Sequence, residues 1–89
     1  MAYPNPARGR VLFAYTLRGF AQVKIDIYHL NGERVAHIEE YKDGTGGQTF
    51  TTAWEAAGVA PGIYFCRIMA LDGNGKEILN VKKKVALIR

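Results

Sequence analysis

The chain contains no serine, which removes serine-based nucleophilic catalysis at once. Its one cysteine, Cys66, cannot form an internal disulfide. Cys66 falls mid-strand between aromatic and basic neighbours, where a small buried hydrophobe is the expected role rather than a reactive thiol. No apolar run approaches the ~20 residues of a membrane-spanning helix, so no transmembrane segment is expected. No stretch longer than one turn carries helical periodicity. A charged-then-apolar leader is also missing, because Met1-Ala2 runs straight into Tyr3-Pro4-Asn5-Pro6. If the domain works outside a cell, its export signal is expected on a longer parent chain.

What remains is strand-forming. Eighty-nine residues suffice for one domain, expected over 1–89. With 48% hydrophobic and 22% charged residues the composition is globular, and so short a chain can fill only two thin layers. Strands are expected over Val11–Leu17, Ala21–Leu30, Glu33–Tyr41, Gln48–Trp54, Gly62–Leu71 and Val81–Arg89. Turns every eight to twelve residues between them imply a small antiparallel sandwich. Asp43-Gly44-Thr45-Gly46-Gly47 reads as a flexible loop, and Glu55 to Pro61 as a connection with one helical turn at most.

Asn31-Gly32 between two apolar-alternating runs is the strongest short hairpin signal, expected as a two-residue type I′ turn. That turn pairs Leu30 with Glu33, Tyr28 with Val35, Ile27 with Ala36, Asp26 with His37 and Ile25 with Ile38. Val23, Ile25, Ile27, Ala36 and Ile38 then form the core face, since a one-residue slip would bury charges. In the closing hairpin Arg67 marks the outer face, so Tyr64, Cys66, Ile68 and Ala70 should point inward. Trp54 is the expected centre of the core.

Candidate chemistry is sparse. Cysteine–histidine catalysis would require Cys66 beside His29 or His37, and the expected register separates them. Asp26 and His37 are cross-strand neighbours that could orient a base, but on an open sheet face they read as an ordinary surface contact. Asp72-Gly73-Asn74-Gly75 has the spacing of a partial calcium loop, yet turn chemistry accounts for each residue. No cofactor is expected. The net charge is +4, and Lys82, Lys83, Lys84 and Arg89 crowd the final strand. Lysines there can protect a sheet edge from aggregation. They can also attract an anionic cell-surface polymer; for nucleic acid no binding motif is present.

Taken in order, several landmarks resemble a known group. They are Tyr3-Pro4-Asn5-Pro6, a strand ending Tyr15-Thr16-Leu17, Val23-Lys24-Ile25-Asp26-Ile27-Tyr28 and Asn31-Gly32-Glu33-Arg34-Val35. Gly47, Trp54, Pro61-Gly62-Ile63-Tyr64-Phe65-Cys66-Arg67-Ile68 and a terminal Lys-Lys-Val-x-Leu-Ile-Arg complete the series. The set resembles the C-terminal sorting domain of proteins exported by the type IX secretion system, and is similar also to the immunoglobulin-like domain of the flagellar hook-capping protein. Glu55-Ala56-Ala57 departs from the family's acidic-glycine continuation after the tryptophan. The connection onward to Pro61-Gly62 is shorter than in the hook-cap type, which favours sorting.

The resemblance implies an all-β, immunoglobulin-like sandwich of six to seven strands. It implies a non-catalytic module at the C-terminus of a secreted bacterial protein, linked to an upstream catalytic or binding domain. Its partners would be the outer-membrane secretion machinery or a cell-surface polymer, and its location the cell surface. By analogy, Gly62, Arg67, Lys82, Lys83, Lys84 and Arg89 of the terminal hairpin would make the docking contact. The alternatives are a carbohydrate-binding or spacer module of an extracellular hydrolase, and a flagellar cap-type assembly domain.

Overall fold

Period-two alternation of apolar and polar residues puts successive side chains on opposite faces of an extended chain, and strands dominate accordingly. The computed structural model describes residues 2–88 and contains no helix among them. Its strands are β1 (Ala2–Tyr3), β2 (Arg10–Leu17), β3 (Phe20–His29), β4 (Arg34–Asp43), β5 (Gln48–Glu55), β6 (Gly62–Leu71) and β7 (Glu77–Leu87). They form two antiparallel sheets, ordered β1-β2-β5 and β4-β3-β6-β7. The all-β sandwich expected from the sequence is the observed architecture. The added element is the short β1, which pairs Ala2 with Phe13 and Tyr3 with Leu12.

The core lies between the sheets. Val11, Phe13, Tyr15 and Leu17 of β2 and Trp54 of β5 meet Val23, Ile25 and Ile27 of β3, Tyr64, Cys66 and Ile68 of β6, and Val85 and Leu87 of β7. Trp54 is 4% exposed and packs edge-on against Tyr64, with ring centroids 5.7 Å apart. Such a T-shaped pair adds to area burial through the ring quadrupoles. The Tyr64 hydroxyl satisfies itself by donating to the Ala60 carbonyl at 2.6 Å.

Between the sheets one polar chain is closed. Thr52 of β5 donates to Glu40 Oε1 of β4 at 2.6 Å. Its hydroxyl proton being committed, the Tyr15 hydroxyl donates to Thr52 at 2.8 Å. Burial, outweighing that bond, pushes the Tyr15 phenol above its ordinary pKa.

Two loops differ from expectation. Ile25, Asp26 and Ile27 do pair with Ile38, His37 and Ala36, but a bulge follows and Tyr28 faces Arg34 rather than Val35. The loop is three residues, Leu30-Asn31-Gly32, closed by His29 N–H donating to Glu33 O. Gly32 alone takes positive φ (93°) there, while Asn31 does not. The Asn31 side chain instead accepts from Glu33 N–H at 2.9 Å, which favours a type I turn with a following glycine over the mirror-image turn.

The second difference is at Asp43–Gly47, which is a built turn rather than an open loop. Asp43 Oδ1 accepts from both the amide and the hydroxyl of Thr45, holding its carboxyl below the usual pKa. Gly44 lies so close to the end of β2 that a Cβ there would meet Leu17 O at 2.6 Å.

Candidate functional site

The antiparallel registers of the larger sheet place outward side chains in rows. One row runs His37, Asp26, Arg67, Lys82 from β4 to β7. The next runs Arg34, Tyr28, Phe65, Lys84. This outer face belongs to the sheet that carries the terminal hairpin, and it gathers Arg67, Lys82 and Lys84 of the docking residues expected from sequence. Arg67 and Lys82 are direct cross-strand partners, and Phe65 and Lys84 are the next outward pair. Lys84 Nζ stands 5.9 Å from the Phe65 ring centroid, a weak cation–π contact at this exposure.

Lys83 lies elsewhere. It pairs with the buried Cys66 and therefore sits on the inner face, beyond the part of β7 that the smaller sheet covers at Val85 and Leu87. An inward-facing charge on an edge strand discourages pairing with a second edge. Gly62 opens β6 opposite Leu87 at φ 152°, a conformation that side chains rarely adopt, so the fold itself calls for glycine there. Arg89 lies outside the described residues.

Asp26 corrects the expectation of an ordinary surface contact. Its side chain is only 8% exposed, although it points to the outer face. Oδ1 is 2.6 Å from His37 Nδ1 and 3.3 Å from Arg34, and Arg67 stands directly across in β6. A carboxylate this covered needs its partners, because an unpaired buried charge is costly. No nucleophile belongs to this pair. Cys66 points into the core on the other side of the sheet, and burial pushes its thiol up to about 12.

Asp72 is equally committed. Its Oδ1 accepts from Asn74 N–H and Lys76 N–H, both at 2.9 Å, so its carboxylate builds the turn. Among the described residues no group of three or more His, Cys, Asp or Glu side chains is placed to hold a metal.

Sequence reasoning missed the element that locks β7. The segment after β1 runs along the outer edge of β7. Asn5 Nδ2 donates to Lys84 O at 3.0 Å, and Asn5 Oδ1 accepts from Ala86 N–H at 3.1 Å. Ala7 continues the pairing, donating to Ala86 O and accepting from Ile88 N–H. It also forms a parallel bridge with Leu87. Prolines on both sides of Asn5 argue against a strand, and nothing in the spacing announces that its side chain replaces a strand's backbone.

The outer face is basic on its β6–β7 side, while β4 adds Glu39 and Asp43 at the other. Arg67, Lys82 and Lys84 line it towards β7, while Asp26 is engaged by His37 and Arg34. Tyr28, Phe65, Arg67 and Lys82 border a groove of about 340 Å³. The arrangement offers a basic and aromatic surface suited to binding.

No curated protein matches the chain. The family model described as the secretion system C-terminal sorting domain matches residues 1–86, which take in every strand from β1 to β7 but for Leu87 at the end of β7. The domain is a signal module that marks proteins for type IX secretion and the cell surface. A helix-free sandwich, a basic outer hairpin face and that match over nearly the whole length agree: the chain belongs to the type IX secretion C-terminal sorting domain family.

Proposed function

We propose that this domain ends a larger secreted protein and is read by the outer-membrane secretion machinery through its folded β6–β7 hairpin, and that it then holds its cargo at the cell surface. The carrying observation is that β7 is an edge strand with two different halves. From Lys84 to Ile88 its edge is sealed by Asn5 and Ala7. From Glu77 to Lys83 it borders no other strand of its sheet beyond β6. The open half and the outer row of Arg67 and Lys82 form one continuous contact surface. The sealed half keeps the strand in place while that surface is read. Docking onto a preformed sheet carries little ordering cost, which favours recognition of the fold over recognition of an unfolded tail.

The test is export of a periplasm-directed fluorescent reporter fused ahead of the chain in a type IX-competent bacterium. The intact domain should carry the reporter to the surface. Deletion of Lys82 to Arg89 should leave it in the periplasm. Because that deletion also removes core residues, the paired substitution K82E/K84E, on exposed outer positions, should retain the reporter while the purified domain keeps its melting temperature. Normal export of the charge-reversed domain overturns the reading.

A further inference from the structure

The groove on the outer face of the larger sheet shares Arg67 and Lys82 with the docking surface but adds aromatic residues that edge docking does not use. Its floor is apolar and aromatic, from Tyr28 of β3 and Phe65 of β6. Phe65 is 41% exposed. Arg67 and Lys82 also line it, with Cys66 between Phe65 and Arg67 in the chain. Among the described residues, Arg67 Nε is the buried side-chain polar atom with no hydrogen-bond partner. Asp26, the acid opposite Arg67, has its Oδ1 engaged by His37 and Arg34. A planar five-donor fork beside an aromatic surface, with one of its own buried donors unpartnered, is suited to receive an anion.

We infer that this groove binds a carboxylated sugar, a uronic acid unit within an acidic glycan, with the ring stacked on Tyr28 and Phe65 and the carboxylate received by Arg67 and Lys82. Charge complementarity selects an anion. The aromatic floor selects one with a flat apolar face, which an aspartate or glutamate side chain lacks. A polymer rather than a single sugar is favoured by a second platform on the same face. Phe20 and Tyr41 stack there with centroids 6.1 Å apart and both rings exposed. Tyr41 pairs with Gln22, six positions along β3 from Tyr28, or about 20 Å at strand rise. Between the two platforms on this face lie Lys24 and, directly across from it, Glu39, which stands 3.6 Å from His37. An acidic peptide would gain more from the open edge of β7 than from a groove in the middle of the face.

This goes beyond the sorting role and is tested without the secretion machinery, so failure here leaves that role untouched. The measurement is mobility retardation of the whole chain in native gels containing polygalacturonate, with dextran and polyglutamate as comparison polymers. Polygalacturonate should retard the chain, dextran should not, and polyglutamate at equal carboxylate concentration should do so far less. Arg67→Gln should weaken the apparent affinity about tenfold or more, as expected for loss of a charge-assisted hydrogen bond. Arg67→Lys should weaken it measurably despite unchanged charge, and Phe65→Ala should weaken it without touching charge at all. Lys76→Gln, an equal charge change at the exposed far turn, should have under about a twofold effect. Absence of retardation, equal losses for Arg67→Gln and Lys76→Gln, or equal retardation by polyglutamate would each overturn the assignment, the last in favour of an acidic peptide.

Discussion

The side-chain amide of Asn5 bridges the backbone of Lys84 and Ala86, donating to one and accepting from the other. A residue near the start of the chain thus finishes the sheet at its end, 81 positions away for the Ala86 contact. The pairing makes the beginning of the domain part of the surface that presents β7.

Asn5→Ala removes both bonds and exposes the Ala86 amide. A loss of about 1–2 kcal/mol is expected from the two exposed hydrogen bonds together. Hydrogen exchange at Ala86 should accelerate while amides of β3 and β6 keep their protection. Unchanged exchange at Ala86 would show that the bridge does not hold in solution.

The inter-sheet chain from Tyr15 through Thr52 to Glu40 predicts that an isosteric change is not neutral. Thr52→Val keeps the volume but strands the buried Tyr15 hydroxyl, while Glu40 loses its Thr52 bond and keeps Lys42 at 3.7 Å. Urea denaturation should show a loss of about 1–3 kcal/mol. Glu40→Gln should cost less, since an amide oxygen still accepts from Thr52.

Trp54→Ala should cost about 3–5 kcal/mol, a large part of what a domain this small possesses. Thermal melts read by circular dichroism would show it, and a change below about 1 kcal/mol would contradict the packing of Trp54 on Tyr64.

Much of this architecture was legible in the residues, and the exceptions have physical causes. Gly62–Leu71 and the inward set Tyr64, Cys66, Ile68 and Ala70 follow from strict alternation interrupted by one arginine. The pairing of Asp26 with His37 followed from the turn, even though the turn itself proved one residue longer. The bulge absorbs that extra residue between the turn and the core, so the core register survives the wrong turn type. The burial of Asp26 was not legible, because it depends on long side chains from β4 folding back over the outer face. Nor was the separation of Lys83 from Lys82 and Lys84, although a strand's two-residue period implies it once the run is known to be extended. The clamp made by Asn5 is a long-range contact with no periodic signature.

Two titrations follow from the fold. The Cys66 thiol, raised by burial to about 12, should resist alkylation by iodoacetamide in the native state and react once denatured. Because the folded chain holds that proton more tightly than the unfolded one, this contribution to stability is fully present below about pH 9 and is lost as pH rises towards 12. Asp43 has the opposite sign. Its carboxyl is held below 3.8 by Thr45, so its contribution is present above that pH and is lost as pH falls through the folded value. Asp43→Asn should flatten the acid limb of the stability profile, and an unchanged limb would contradict the Asp43–Thr45 contact.

The claim that the folded terminal hairpin is the address is tested most directly by photocrosslinking in secreting cells. A photoreactive residue at Lys82, on the outer face of β7, should trap an outer-membrane component of the secretion machinery. The same residue at Thr49, exposed on the opposite sheet, should not. Equal crosslinking from both positions, or crosslinking from Thr49 alone, would contradict the account.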